Sequence, residues 1–192
     1  MIEDVRQPHP AAYAKITKAT LESGFNMASD LLTCSLLRTL AASKPGGNFL
    51  ELGTGTGLAS SWILDGMDKN STLVSVDNDA AVLSIASNYL ATDDRASFVL
   101  SDGEDWITLN SQLRFDYIFA DTWHGKYLML EEALTMLNIG GLYIIDDMLP
   151  QANWPDGHAE KAVILVETLE QRDDLVLTKL NWATGIVIAV KK

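Results

Sequence analysis

Short apolar runs alternate along this chain with stretches in which apolar residues return every three or four positions. Two helical stretches come first, Ala11 to about Ser23 and about Asp30 to Ser43, the second carrying Leu31, Leu32, Leu36, Leu37 and Leu40 on one side before Pro45-Gly46-Gly47 stops it. Asn48–Leu52 then reads as a strand, and Gly53-Thr54-Gly55-Thr56-Gly57 as the turn into a helix over about Leu58–Met67. The unit repeats: Leu73–Val76 runs to Asp77, a helix covers about Asp79–Leu90, and Ala96–Leu100 stops just before Asp102. Phe115–Ala120 ends at Asp121, the periodicity predicts a helix over about Lys126–Leu137, and Leu142–Ile145 ends at Asp146 and Asp147. A last helix, about Glu160–Gln171, precedes two apolar runs, Leu175–Leu180 and Gly185–Val190, whose four-residue connection Asn181-Trp182-Ala183-Thr184 predicts a hairpin.

Apolar strands separated by helical stretches call for a parallel sheet covered on both faces. The expected fold is therefore α/β, a mostly parallel seven-stranded sheet with an antiparallel edge. In such a sheet ligands gather beyond the carboxyl ends of the strands, where strand order reverses. The acids at the strand ends should share that cleft, and Asn153-Trp154-Pro155-Asp156-Gly157, the most loop-like internal stretch, follows closely enough to form a lid or a substrate wall.

Size and charge narrow the chemistry. A chain of 192 residues suits one domain spanning 1–192, with N-terminal helices in about 11–43, and leaves a homodimer open. No apolar run approaches the ~20 residues needed to cross a bilayer, and the opening MIEDVRQPHP lacks the pattern of a secretory signal, so a cytoplasmic protein without a membrane partner is expected. Cys34, the single cysteine, rules out an intrachain disulfide and reads as a core residue. With 26 acidic against 14 basic residues, a net charge of −12 opposes a phosphate backbone, which argues against nucleic acid and for a small-molecule acceptor.

The glycines of Glu51-Leu52-Gly53-Thr54-Gly55-Thr56-Gly57 let the backbone turn tightly and approach a ligand. Their spacing does not make a dinucleotide fingerprint, because G-x-G-x-x-G counted from Gly53 meets Leu58, and no G-K-[ST] follows for a phosphate loop. At the next strand end Asp77 can accept both ribose hydroxyls of a nucleoside. Asp102 and Gly103 can offer a carboxylate and an N–H to an adenine edge, or Asp102 can simply cap the helix beginning near Glu104.

ELGTGTG, the acid after SV, and SDG together resemble the nucleoside-binding series of class I S-adenosylmethionine-dependent methyltransferases, with their Rossmann-like fold. FADTWHGKY and GGLYIIDDML resemble the catechol and caffeoyl-coenzyme A O-methyltransferase branch. The resemblance implies S-adenosylmethionine as cofactor. It sets Glu51 and Gly53 beside the methionine part, with Gly55 in the same turn, Asp77 on ribose, Asp102 and Gly103 by adenine, and Met27 of the segment Gly24–Ser29 against the cofactor, with Asp121 also among the cofactor-binding residues. A packing role for Met27 stays open.

Asp121, Asp146 and Asp147 can offer hard oxygen ligands to Mg2+ or Ca2+, and such an ion would orient an acceptor oxygen and weaken its hold on a proton. In the resembling enzymes the metal positions read Asp, Asp and Asn, so Asp147 departs from the pattern. Caps or solvated loop acids are the alternative. The resembling enzymes also carry a lysine as general base where this chain has His124, lysine being displaced to Lys126. Histidine, with an unperturbed pKa of about 6.5, can do the same work, which makes His124 and Asp121 the expected catalytic residues; a metal ligand, a donor that orients substrate or a solvated loop histidine are the other readings of His124. Trp123, Trp154 and Trp182 are candidate aromatic walls for a flat acceptor. The expected reaction is methyl transfer to an oxygen of a small acceptor, a phenol among the candidates. N-methylation, nicotinamide-dependent oxidoreduction and non-catalytic nucleoside binding are the rivals.

Overall fold

The computed structural model describes residues 8–151 and 154–192. The opening heptapeptide, most of the MIEDVRQPHP stretch read against a secretory signal, and Asn153 of the predicted lid loop lie outside the described residues. Fourteen elements follow in order: α1 (Tyr13–Ser23), α2 (Leu31–Ala42), β1 (Asn48–Leu52), α3 (Leu58–Gly66), β2 (Thr72–Asp77), α4 (Ala80–Leu90), β3 (Ala96–Leu100), α5 (Gly103–Leu109), β4 (Phe115–Ala120), α6 (Leu130–Thr135), β5 (Leu137–Ile145), α7 (His158–Glu170), β6 (Leu175–Leu180) and β7 (Ile186–Lys191). They form a Rossmann-like α/β fold around one seven-stranded sheet of order β3-β2-β1-β4-β5-β7-β6. β1 to β5 pair in parallel, and β7 runs antiparallel to both neighbours. The predicted hairpin is present, with its second strand inserted against β5 and its first left at the edge.

Strand parity sorts the core. Phe49, Tyr117, Phe119 and Ile144 point to one face, where they meet Ile16 of α1, Leu37 of α2 and Trp62 and Ile63 of α3. Their neighbours Leu50, Leu52, Ile118, Ala120, Tyr143 and Ile145 point to the other, against Ile107 of α5, Leu134 of α6 and Leu165 and Leu169 of α7. A strand buried on both faces reads as an unbroken apolar run for this reason. Cys34 is a buried free thiol in the first of these layers, as expected of a core cysteine.

One stretch departs from the periodicity. The helix expected over Lys126–Leu137 is only α6, because Gly125 and Met129 adopt left-handed backbone at φ 84° and 55° and Leu137 already pairs with Phe115. β5 therefore begins well before Leu142, running through Asn138–Gly141 with a register irregularity against β4.

Candidate active site

Strand order reverses between β1 and β4, and the cleft opens at their carboxyl ends. Gly53 leaves β1 at φ 102°, its N–H held by the Val76 carbonyl at 2.9 Å. A β-carbon on Gly53 would stand 2.7 Å from the Asp121 carbonyl oxygen, so the turn after β1 passes the end of β4 more closely than any side chain allows. Gly55 donates its N–H to Asp77 Oδ2 at 2.8 Å, tying the glycine turn to the end of β2. From the other side the segment after α1 covers the turn, with the Phe25 ring against Gly55 and Thr20 donating to Thr56 at 2.8 Å.

The cleft holds about 510 Å3 and is lined at one end by Met27, Gly53, Gly55, Asp77 and Asp79, and at the other by Asp121, Trp123, Lys126, Asp146, Asp147 and His158. That volume lies within the roughly 300–1,000 Å3 usual for small-molecule sites. Both Asp77 oxygens already accept a backbone N–H, from Gly55 and from Asp79 at 2.9 Å, which fixes the carboxylate and leaves lone pairs toward the cavity.

Four of the expected residues stand elsewhere. Glu51 is wholly buried beneath the glycine turn on the α3 side of the sheet and does not line the cleft, because strand alternation turns it there. Its Oε2 accepts from Ser60 and Ser75, its Oε1 has no partner, and burial pushes the carboxyl up to about 7, with the two serines opposing. Asp102 caps α5, accepting from Glu104 N–H at 2.9 Å, and neither it nor Gly103 belongs to the cleft lining. His124 packs on Gly103, with Nε2 3.8 Å from Asp102 Oδ1. The turn that carries it points it toward α5, so the imidazole is absent from the lining as well.

The acids do converge. Asp121 Oδ2 accepts from Ser29 at 3.0 Å, and Oδ1 lies 3.5 Å from the Lys126 ammonium. Asp146, 1% exposed, accepts at Oδ1 from Thr184 at 2.5 Å and from the Asp147 N–H at 2.8 Å, with Thr33 at 3.5 Å. Asp147 turns back through left-handed backbone at φ 57°, a region that aspartate tolerates better than most residues. Burial raises the Asp121 carboxyl well above the usual range. Asp146 and Asp147 push the same way, and Lys126 pulls against them. Asp146 is raised too, again chiefly by burial, with the Thr184 hydroxyl opposing.

The far wall is aromatic. Trp154 stacks on His158 with centroids 4.3 Å apart, and Tyr127 hydroxyl and His158 Nε2 share a hydrogen bond of 3.0 Å. Trp123 meets both Tyr127 and His158 edge-on. Trp123 and Trp154 line the cleft as expected, and Trp182 does not. His158, Gln151 and Thr184 were not foreseen. His158 begins a helix beyond a loop, and a lone histidine there carries no spacing signal. Its pKa is lowered, chiefly by burial and then by Lys126.

A cation held by the three acids fits poorly. Among the described residues no group of three His, Cys, Asp or Glu side chains is disposed to hold a metal ion. Both Asp121 oxygens and Asp146 Oδ1 are already engaged by protein donors. The described residues also contain no helix long and apolar enough to cross a membrane.

The fold recurs in solved structures. An O-methyltransferase from Bacillus cereus in complex with SAH superposes with a TM-score of 0.86 at 19% identity, covering 98% of this chain and 94% of that one. TomG, an O-methyltransferase from Streptomyces achromogenes involved in tomaymycin synthesis, gives 0.83 at 19% identity over 98% and 92%. A methyltransferase from Geobacter sulfurreducens gives 0.76 at 20% identity over 97% and 93%. No curated protein matches the chain. A family model described as a methyltransferase domain matches residues 50–148, from β1 through the acids after β5 and so across every strand end that builds the cleft. By that match, over more than half of its length, the chain belongs to the methyltransferase-domain family.

Proposed function

We propose that this protein binds S-adenosylmethionine in the cleft and transfers its methyl group to an oxygen of a small, flat acceptor, phenols being the first class to try. The observation that carries this reading is a single cavity with two unlike ends. Gly53, Gly55 and Asp77 present a tight turn and a fixed carboxylate suited to a nucleoside, and Trp123, Trp154, Tyr127 and His158 present aromatic walls around acids. The branch of catechol and caffeoyl-coenzyme A enzymes agrees with the motifs around Asp121 and Asp146, and with an O-methyltransferase such as the Bacillus cereus protein sharing the fold.

The cofactor arrives with an electrophilic methyl, so the protein's work is to align the acceptor oxygen with it and to take up the departing proton. His124 faces Asp102, and the Tyr127–His158 pair is the better placed base: both residues line the cleft, burial lowers the pKa of the imidazole, and with Nδ1 buried without a partner the ring takes up a proton at Nε2, through the Tyr127 hydroxyl bonded to it. In balance, the acceptor O–H gives its proton to the Tyr127 hydroxyl as that hydroxyl passes its own to His158 Nε2, the oxygen forms a bond to the methyl carbon, and the C–S bond electrons return to sulfur, leaving S-adenosylhomocysteine with a neutral thioether.

Release of S-adenosylhomocysteine from S-adenosylmethionine and a panel of phenols tests this reading. Loss of a positioned base costs about 10²–10⁴-fold in turnover. His158→Gln should fall by that order at saturating cofactor while His124→Gln stays within a few-fold of the parent. The reverse ranking would return the role to His124, and methylation of amines in place of phenols would move the chain to the nitrogen-methylating rival.

A further inference from the structure

The cluster at the ends of β4 and β5 poses a question of charge. Asp121 and Asp146 are largely or wholly withdrawn from water, with Asp147 beside them, and three carboxyl groups in one wall must either keep protons or share a cation. The chain supplies one. Lys126 is 5% exposed, its ammonium is 3.5 Å from Asp121 Oδ1, and it lines the same cavity as all three acids.

The turn that delivers Lys126 is rigidly built. Gly125 sits at φ 84° where a β-carbon would meet Leu52 Cδ1 at 2.7 Å and the Tyr143 hydroxyl at 2.9 Å, so only glycine lets the turn lie flat on the sheet. The buried Tyr143 hydroxyl donates to the Gly125 carbonyl at 2.6 Å, and the Gly125 N–H donates to the Leu128 carbonyl at 2.7 Å. These bonds, made on both sides of one residue, hold the backbone next to Lys126 and aim its side chain at the acids. A lysine that merely decorated a loop would be exposed and would need no such support.

We propose that the Lys126 ammonium is the built-in counter-charge of this acid cluster, standing where a divalent cation would otherwise be required, so that the protein needs no metal. The part of this that concerns catalysis rests on the methyl-transfer reading above. An ammonium in the wall beside the acceptor oxygen favours the oxyanion as the proton leaves, which is what a bound cation would supply. Its N–H donors can orient that oxygen, and Ser29 holds Asp121 by Oδ2, which leaves Oδ1 toward the ammonium.

Mn2+ is the probe, followed by electron paramagnetic resonance of the free ion and by thermal unfolding, on the parent, Lys126→Met and Lys126→Arg. The parent and Lys126→Arg should take up no Mn2+ below about 1 mM, the weak end of biological oxygen-ligand sites, and should unfold at the same temperature in EDTA and in Mn2+. Lys126→Met should unfold roughly 10 °C lower in EDTA, since a buried charge loses its partner, and Mn2+ should bind and restore part of the loss. Micromolar Mn2+ uptake by the parent with a rise in its unfolding temperature would overturn the proposal. So would a Lys126→Met protein as stable as the parent and indifferent to Mn2+. Should Lys126→Met fail to fold, the parent and Lys126→Arg decide alone. Calorimetry with S-adenosylhomocysteine on the EDTA-treated parent separates the two readings: absent binding sinks the methyltransferase reading and leaves the charge assignment standing.

Discussion

At the residue scale, Glu51 is a carboxyl group wholly buried beneath the glycine turn, with one oxygen unpartnered. Its place in ELGTGTG marked it as a cofactor residue, yet strand alternation turns it away from the cleft and under the turn, where Ser60 and Ser75 meet it. Asp77, Asp121 and Asp146 were legible because each closes an apolar run. His158 was not, since nothing local distinguishes it from a solvated helix start. Burial raises the Glu51 carboxyl from an ordinary 4.5 to about 7, so the folded chain keeps a proton that the unfolded chain has lost between those values. Stability from this group is complete below the lower value and is lost as pH rises to the upper one. Glu51→Gln should flatten the fall in unfolding free energy across that window by up to about 3 kcal/mol. Asp121 and Asp146 titrate in both proteins, so denaturant unfolding at several pH values isolates Glu51 by difference. Identical slopes would show that Glu51 is ionised throughout.

At the element scale, the strands were legible from their apolar runs and the helices from period and capping residues. Asp30, Asp79 and Asp102 all cap helices through their side chains. The failure at Lys126–Leu137 has a local cause. The spacing of apolar residues there is helical, but the left-handed residues Gly125 and Met129 divert the chain, and Gly140-Gly141, just before the expected strand start at Leu142, lie within β5. Packing between elements was invisible in sequence. Gly66 ends α3 so close to α2 that a β-carbon would stand 2.2 Å from the Arg38 carbonyl oxygen. Backbone cannot yield there as a side chain could, so Gly66→Ala should destabilise by about 2–3 kcal/mol and lower the unfolding temperature by roughly 5–10 °C. Gly66 is not part of the cleft lining, so ligand affinity of the folded protein should be retained. Calorimetric unfolding with a parent-like midpoint would mean that α2 and α3 separate freely.

At the scale of the whole molecule, the sheet order gathers the ends of β1, β2, β4 and β5 around one cavity, which is why residues scattered from Met27 to Thr184 share it. The single domain expected from chain length stays a proposal, as does the exclusion of nucleic acid that the net charge of −12 suggests. Cofactor class is the claim on which the account turns, because the same fold and the same acid after β2 suit a dinucleotide as well as a nucleoside sulfonium. Calorimetric titration of the parent and of Asp77→Ala with S-adenosylhomocysteine, and of the parent with NAD, tests it most directly. The account predicts binding of S-adenosylhomocysteine, no measurable binding of NAD, and a loss of roughly tenfold to a hundredfold in Asp77→Ala, as expected for hydrogen bonds to a charged group. Tighter binding of NAD than of S-adenosylhomocysteine, or parent-like affinity in Asp77→Ala, would contradict it.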